Sequence, residues 1–228
     1  MLDTTISNLE SWSRLKNSTD PVDSLVFATE LGKPEWITRE NLKRFKDGSR
    51  LFPDVKSLTL NCLKLEDFDG KSLPRLFGHF PENQTLNIIS CDIKPNQLFF
   101  LLCMFPKLEN LKLDRIDMTK FSKSSRIPSL AARPTLGGKL TLSNLKSEAS
   151  GMVHLLAKFL SPVAFTDVSV ENCDFEAPDS LNDLFIACQE KVKRIKLYSD
   201  TTFICELHLC GSFNNTHVSL KYCILDAS

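Results

Sequence analysis

Apolar residues along this chain follow two alternating periods. The first is a period of two, in the short runs Leu58-Thr59-Leu60, Leu86-Asn87-Ile88, Leu111-Lys112-Leu113, Leu140-Thr141-Leu142, Val168-Ser169-Val170 and Ile195-Lys196-Leu197. Such alternation places the apolar side chains on one face of a β-strand and the intervening residues on the other. Successive runs begin 28, 25, 29, 28 and 27 residues apart. The second is the i, i+3, i+4, i+7 spacing of a helix with one apolar stripe, in Leu73/Leu76/Phe77/Phe80, Leu98/Leu101/Leu102/Phe105, Val153/Leu156/Ala157/Leu160 and Leu181/Leu184/Phe185/Cys188. Each quartet starts 12 to 15 residues after the first apolar residue of its strand.

A strand followed at a fixed offset by a helix is one β-α unit, and the unit recurs. Neither its strand nor its helix stripe can be buried within a single unit, so the units must stack, strands beside strands and helices beside helices. The spacing and the frame L-x-x-L-x-L-x-x-N/C-x-L are those of a leucine-rich repeat. Leu86 to Ile93 shows the frame most clearly, with Cys91 at its N/C position; Cys173 and Cys223 fill that position in two other copies, where a thiol packs as a small apolar group. The first position of the frame holds Val55, Leu108, Phe165 and Val192, but Asn83 and Gly137 interrupt it, which predicts a different route into those two strands. Val218 to Leu225 is a weaker last copy.

The expected fold is therefore α/β: a leucine-rich repeat solenoid of about six to seven repeats, with a curved parallel sheet inside and helices outside, over residues 52–228. Residues 1–51 carry no clear copy and read as an N-terminal cap or a truncated upstream region. Within them the pattern predicts helices from Ile6 to Lys16 and from Thr38 to Lys46, the latter N-capped by Thr38, and a strand at Leu25-Val26-Phe27. The unit after Leu113 has no helical quartet. Pro128, Pro134 and Gly137-Gly138 predict an irregular loop closed by a tight turn.

Charge and composition narrow the function classes. The 28 basic and 28 acidic residues balance, which argues against nucleic acid as a partner. No apolar run approaches the roughly 20 residues of a membrane span, and Met1 to Thr5 lacks the basic and apolar regions of a signal peptide. The expected location is cytoplasmic or nuclear, with no membrane partner. The Asn-x-Ser/Thr matches at Asn17, Asn83 and Asn214 then read as chance. The one sustained charge bias lies in the irregular loop, where Lys120, Lys123, Arg126 and Arg133 occur without an acidic residue and could meet an anion or an acidic partner.

Phe52 to Leu60, Phe68 to Phe80 and Arg133 to Leu142 are similar to the repeat region of the large leucine-rich, F-box-like families of mushroom-forming fungi. The likeness covers roughly Phe52 to Leu197. It implies a leucine-rich solenoid, often set behind an F-box helix bundle that docks a ubiquitin-ligase adaptor. The first 50 residues contain no Leu-Pro-x-Glu-like F-box opening. Ubiquitin-ligase components are thus expected partners only if an F-box lies upstream, in which case this chain would be the substrate-recognition part.

The chemical alternatives are thin. Cys205, His208, Cys210, His217 and Cys223 are the best metal cluster, but strand alternation would set Cys205 and His208 on opposite faces, and Cys223 falls on the repeat's buried position. No nucleophile elbow, metalloprotease helix or phosphate-binding glycine loop is present. The expectation is a non-catalytic protein without a cofactor or metal, binding an unidentified protein through the outward residues of its strands. Among these, Lys112, Asp114, Glu171, Lys196 and Tyr198 are the candidate contacts, since Tyr and charged side chains often anchor interfaces. Asp167 is expected opposite Arg194, and Glu171 opposite Tyr198.

Overall fold

The structure is a computed structural model that describes residues 3–18, 20–29, 36–38, 40–41, 52, 54–65, 72–116, 136–145, 149–159, 165–173, 179–188, 191–204 and 217–224. Strands β1 (Asp3–Ile6), β2 (Ser24–Ala28), β3 (Ser57–Asn61), β4 (Thr85–Ile89), β5 (Asn110–Asp114), β6 (Lys139–Ser143), β7 (Asp167–Glu171), β8 (Arg194–Ile204) and β9 (His217–Ile224) form one sheet in chain order. Every neighbouring pair is parallel. Among the described residues the helices are α1 (Leu9–Asn17), α2 (Ser72–Phe77), α3 (Pro95–Cys103), α4 (Ala149–Phe159) and α5 (Asp179–Cys188). Parallel neighbours cannot be joined by a tight hairpin and need a crossover of about a dozen residues or more; α1 to α5 lie in the crossovers from β1 to β2, β3 to β4, β4 to β5, β6 to β7 and β7 to β8. The architecture is α/β with an all-parallel sheet.

Register turns the period-two pattern into a ladder. Leu25, Leu58, Leu86, Leu111, Leu140, Val168 and Ile195 stand opposite one another from β2 to β8, and none is more than 1% exposed. Two residues on, Phe27, Leu60, Ile88, Leu113, Leu142, Val170 and Leu197 make a second buried row. Against these rows pack the helix stripes: Leu73, Leu76, Phe77, Leu98, Leu101, Leu102, Val153, Leu156, Leu181, Leu184 and Phe185 belong to the same core. Full burial of one such side chain is worth about 1.5–3 kcal/mol, and a one-residue slip would turn every leucine of a strand to the wrong face.

The chain leaves each inner strand by the same device. Cys62, Ser90, Arg115, Asn144 and Asn172, each the first residue after its strand, have φ between 50° and 55°. In that left-handed conformation each backbone N–H donates to the carbonyl of the next unit: Ile89, Asp114, Ser143, Glu171 and Tyr198, at 2.8–3.1 Å. The ladder is thus extended by one bond while the chain turns inward. The residue after it is buried in every case: Leu63, Cys91, Ile116, Leu145 and Cys173.

At the N-terminal end, Asn8 caps α1: its Oδ1 accepts the Ser11 N–H at 2.8 Å, and Ser11 Oγ accepts the Asn8 N–H at 3.2 Å. The helix therefore starts at Leu9, and Ile6, expected inside it, instead ends β1 opposite Phe27. Trp12, Phe27, Trp36, Phe52 and Phe80 close this end of the core, with ring centroids 5.7–6.3 Å apart. The sheet is continuous from β2 to β3, across residues 51 and 52. Thr38 Oγ1 accepts the Asn41 N–H at 3.1 Å, as an N-cap would; the rest of the helix expected there lies outside the described residues.

Two further expectations change. Asn83 was expected to bring its chain into β4 by a different route. Instead its N–H donates to Phe80 as that of Val55 does to Phe52, and Gln84 and Thr85 both donate to Lys56 just as Lys56 and Ser57 donate to Asp23. In the fourth unit Leu136 rather than Gly137 is buried ahead of the strand. Cys223 lies inside β9 rather than at a turn, because β8 and β9 run on past the point where the earlier strands end.

Candidate functional site

The face of the sheet opposite the leucine rows carries three rows of its own. Thr85 pairs with Asn110, and Lys139, Asp167 and Arg194 follow in line across β6 to β8. The next row is Asn87, Lys112, Thr141, Ser169 and Lys196, and the third is Ile89, Asp114, Ser143, Glu171 and Tyr198. Alternation alone creates these rows, because the buried leucines fix which residues point away from the core.

The N-terminal half of this face is neutral and tied to itself. Asn87 Nδ2 donates to Thr59 Oγ1 at 3.0 Å, and Asn110 Nδ2 to Thr85 Oγ1 at 3.3 Å. In the middle, Thr141, Ser143 and Ser169 are 7%, 3% and 2% exposed. Short side chains there lie below the level of the longer ones around them, so the surface dips.

The charged residues fall into two groups. Asp114 is only 6% exposed. Its Oδ1 accepts from Asn144 Nδ2 at 2.9 Å, and its Oδ2 lies 3.5 Å from Lys112 Nζ and 3.8 Å from an Arg115 guanidinium nitrogen. Asp114 thus joins the turn after β5 to the turn after β6, with Lys112 and Arg115 as its more exposed partners. Asp167 and Arg194 stand opposite each other and are paired, Arg194 Nε donating to Asp167 Oδ1. Thr166 Oγ1 donates to the other oxygen at 2.8 Å. Partial burial pushes the Asp167 pKa up, but the hydrogen bonds from Arg194 and Thr166 and the charges of Arg194 and Lys139 outweigh it and hold the carboxyl below its ordinary value. Glu171 stands opposite Tyr198 and accepts from Ser169 Oγ at 2.8 Å. Tyr198 is half-buried and Lys196 exposed.

Between these groups lies a depression of about 280 Å³, bordered by Asn110, Lys139, Asp167, Ser169, Arg194 and Lys196. Gly138 at its edge is there for space: a Cβ would come within 2.4 Å of Asn110 Oδ1, the atom that accepts the Lys139 N–H at 2.8 Å. The depression therefore depends on Asn110 and Gly138, which no motif marks; the Gly137-Gly138 pair is the only sequence signal.

Chemistry of other kinds finds little footing among the described residues. Burial pushes the thiol of Cys91 up to about 12, Cys173 to about 11 and Cys188 to about 12. The Cys91 thiol donates to the carbonyls of Leu60 and Ile89 at 3.4 and 3.3 Å, and Cys173 repeats this with Leu142 and Glu171. Thiols protonated at neutral pH are poor nucleophiles and poor metal ligands. Among the described residues no group of three or more His, Cys, Asp and Glu could hold a metal, and no helix is long and apolar enough to cross a membrane. Cys205, His208 and Cys210 lie outside the described residues, as do Lys120, Lys123, Arg126 and Arg133 of the basic loop. A comparison with known protein families finds no matching family, and one with curated proteins finds no matching sequence.

Proposed function

We propose that this protein is a non-catalytic leucine-rich repeat scaffold that binds another protein on the outward face of its sheet, from β5 to β8. The observation that carries the reading is the contrast between the two faces. One consists of two apolar rows no more than 4% exposed from β2 to β8; the other carries polar and charged residues in straight cross-strand rows, with Lys139, Arg194 and Lys196 exposed. All-parallel sheets ordinarily have both faces covered. A stack of β-α units leaves one face open, and repeat proteins bind through such extended surfaces. The 25–29-residue period and the buried thiols after β4 and β7 support the leucine-rich assignment.

Lys196 and Tyr198 are the contacts that matter most on this reading, because they stand two residues apart on β8 and point the same way. A pull-down comparing the wild-type chain with a Lys196→Glu/Tyr198→Ala variant tests it. Partner recovery should fall sharply while the far-ultraviolet spectrum stays unchanged. Undiminished recovery by the folded variant would sink the assignment of the face.

A further inference from the structure

We propose that the depression between β6 and β8 receives an acidic segment of the partner, an extended peptide that sets one carboxylate on Lys139 and another on Lys196. The inference rests on the reading of the sheet face as the protein-binding surface and adds the chemistry of what binds there.

Charge is the first argument. The depression is bordered by three cations, Lys139, Arg194 and Lys196, and one carboxylate, Asp167. That carboxylate already accepts hydrogen bonds from Arg194 and Thr166. Lys139 and Lys196 are exposed and take part in no ion pair among the described residues. The guanidinium of Arg194 carries five donors, of which Nε is given to Asp167, so its outer edge also faces the depression. Two lysines and an arginine edge around an already neutralised acid make a site for negative charge.

Size and spacing select the kind of anion. The volume of about 280 Å³ falls below the roughly 300–1,000 Å³ of small-molecule sites, and suits one or two side chains. Lys139 pairs with Asp167, Asp167 with Arg194, and Lys196 lies two residues further along β8. Two strand spacings of about 4.8 Å and two residues of about 3.3 Å put the lysine Cα atoms roughly 12 Å apart. An extended chain covers that distance in about three to four residues. A peptide with two acids at that interval can therefore reach both lysines at once. A nucleic-acid strand fits less well, since its closely spaced phosphates would also meet Glu171 and Asp167 on the same face.

The test uses the full chain and an end-blocked fluorescent peptide with two glutamates four positions apart in a glycine-serine background. Its partner probe has both glutamates replaced by glutamine. Anisotropy should show the glutamate peptide binding tighter by roughly ten-fold, with the difference shrinking as salt is added. Lys139→Gln and Lys196→Gln should each weaken it roughly two- to five-fold, and Lys158→Gln on α4 should leave it unchanged. Equal binding of the two peptides would overturn the proposal. So would an unaltered Lys139→Gln/Lys196→Gln double variant, tighter binding of an oligo-dT of equal length, or complete displacement by inorganic phosphate. If the peptides are not distinguished but Lys196→Glu/Tyr198→Ala still abolishes partner recovery, the acidic ligand is wrong and the binding face stands; if that variant recovers its partner normally, the face itself is wrong.

Discussion

Replacing Asn83 by leucine should make this protein more stable. Asn83 is fully buried, and neither its Nδ2 nor its Oδ1 has a hydrogen-bond partner among the described residues. It occupies the place that Val55 and Leu108 hold in the units on either side, three residues ahead of the first buried leucine of the strand. Its backbone N–H, which donates to Phe80, is retained in any substitution but proline. Burying an amide without a partner costs about 1–3 kcal/mol. Leucine branches at the same carbon and replaces the two polar atoms by methyl groups, although tight packing returns about 1 kcal/mol of that gain. The expected net stabilisation is about 1–2 kcal/mol, which for a chain of this size raises Tm by roughly 2–8 °C. Urea unfolding of the wild type and Asn83→Leu at one temperature measures it, with the midpoint rising and the slope unchanged. A lower midpoint for Asn83→Leu would refute the reasoning, because it would mean that the carboxamide has a partner worth more than the apolar contacts.

Ser90 tests the turn after each strand. Because its φ is 51°, Ser90→Val should be less stable than Ser90→Gly by about 1–2 kcal/mol, both variants losing the Oγ that accepts from Arg115 Nε at 3.0 Å; equal urea midpoints for the two variants would contradict the strain argument. Asp167 predicts a pH effect. Its folded pKa lies below the unfolded value of about 3.9, so its contribution is present above that pH and is lost as pH falls through the folded value. Asp167→Asn should therefore be less stable than the wild type at neutral pH, by a margin that shrinks in acid; a margin independent of pH would rule this out. Finally, Cys91, Cys173 and Cys188, with thiols at about 12, 11 and 12, should resist iodoacetamide at pH 8 until the chain unfolds, as peptide mapping would show.

The sequence announces the sheet because burial imposes a strict period of two on every inner strand, and announces the helices because their stripes fall at a fixed offset. Strand β1 is invisible by that logic: Asp3-Thr4-Thr5-Ile6 offers one apolar residue, and Ile6 fits a helical stripe with Leu9 equally well. The Asn8/Ser11 capping pair, which places the helix start after Ile6, is the signal that resolves it. The left-handed residues are also hidden, since Cys62, Ser90 and Arg115 lack the glycine or asparagine that usually marks such a turn; only Asn144 and Asn172 hint at it. At the candidate site, alternation correctly places the outward residues and the opposition of Asp167 to Arg194 and Glu171 to Tyr198. What alternation cannot supply is depth. Asp114 reads as an outward charge, yet Lys112 from its own strand and Asn144 and Arg115 from the neighbouring turns close over it. The depression is equally illegible, because it arises from short residues beside long ones on four different strands.

On the proposed function, the outward sheet face rather than the helix face meets the partner. Site-specific photo-crosslinking tests it most directly. p-Benzoylphenylalanine in place of Tyr198 puts an aromatic ketone on the sheet face with little change in shape, and the same group in place of Ile186, which is 56% exposed on α5, samples the helix face. Irradiation in extract should give a discrete higher-mass adduct from position 198, and that adduct should fade when Lys139 and Lys196 are both changed to glutamine. An adduct from position 186 and none from position 198 would contradict the account.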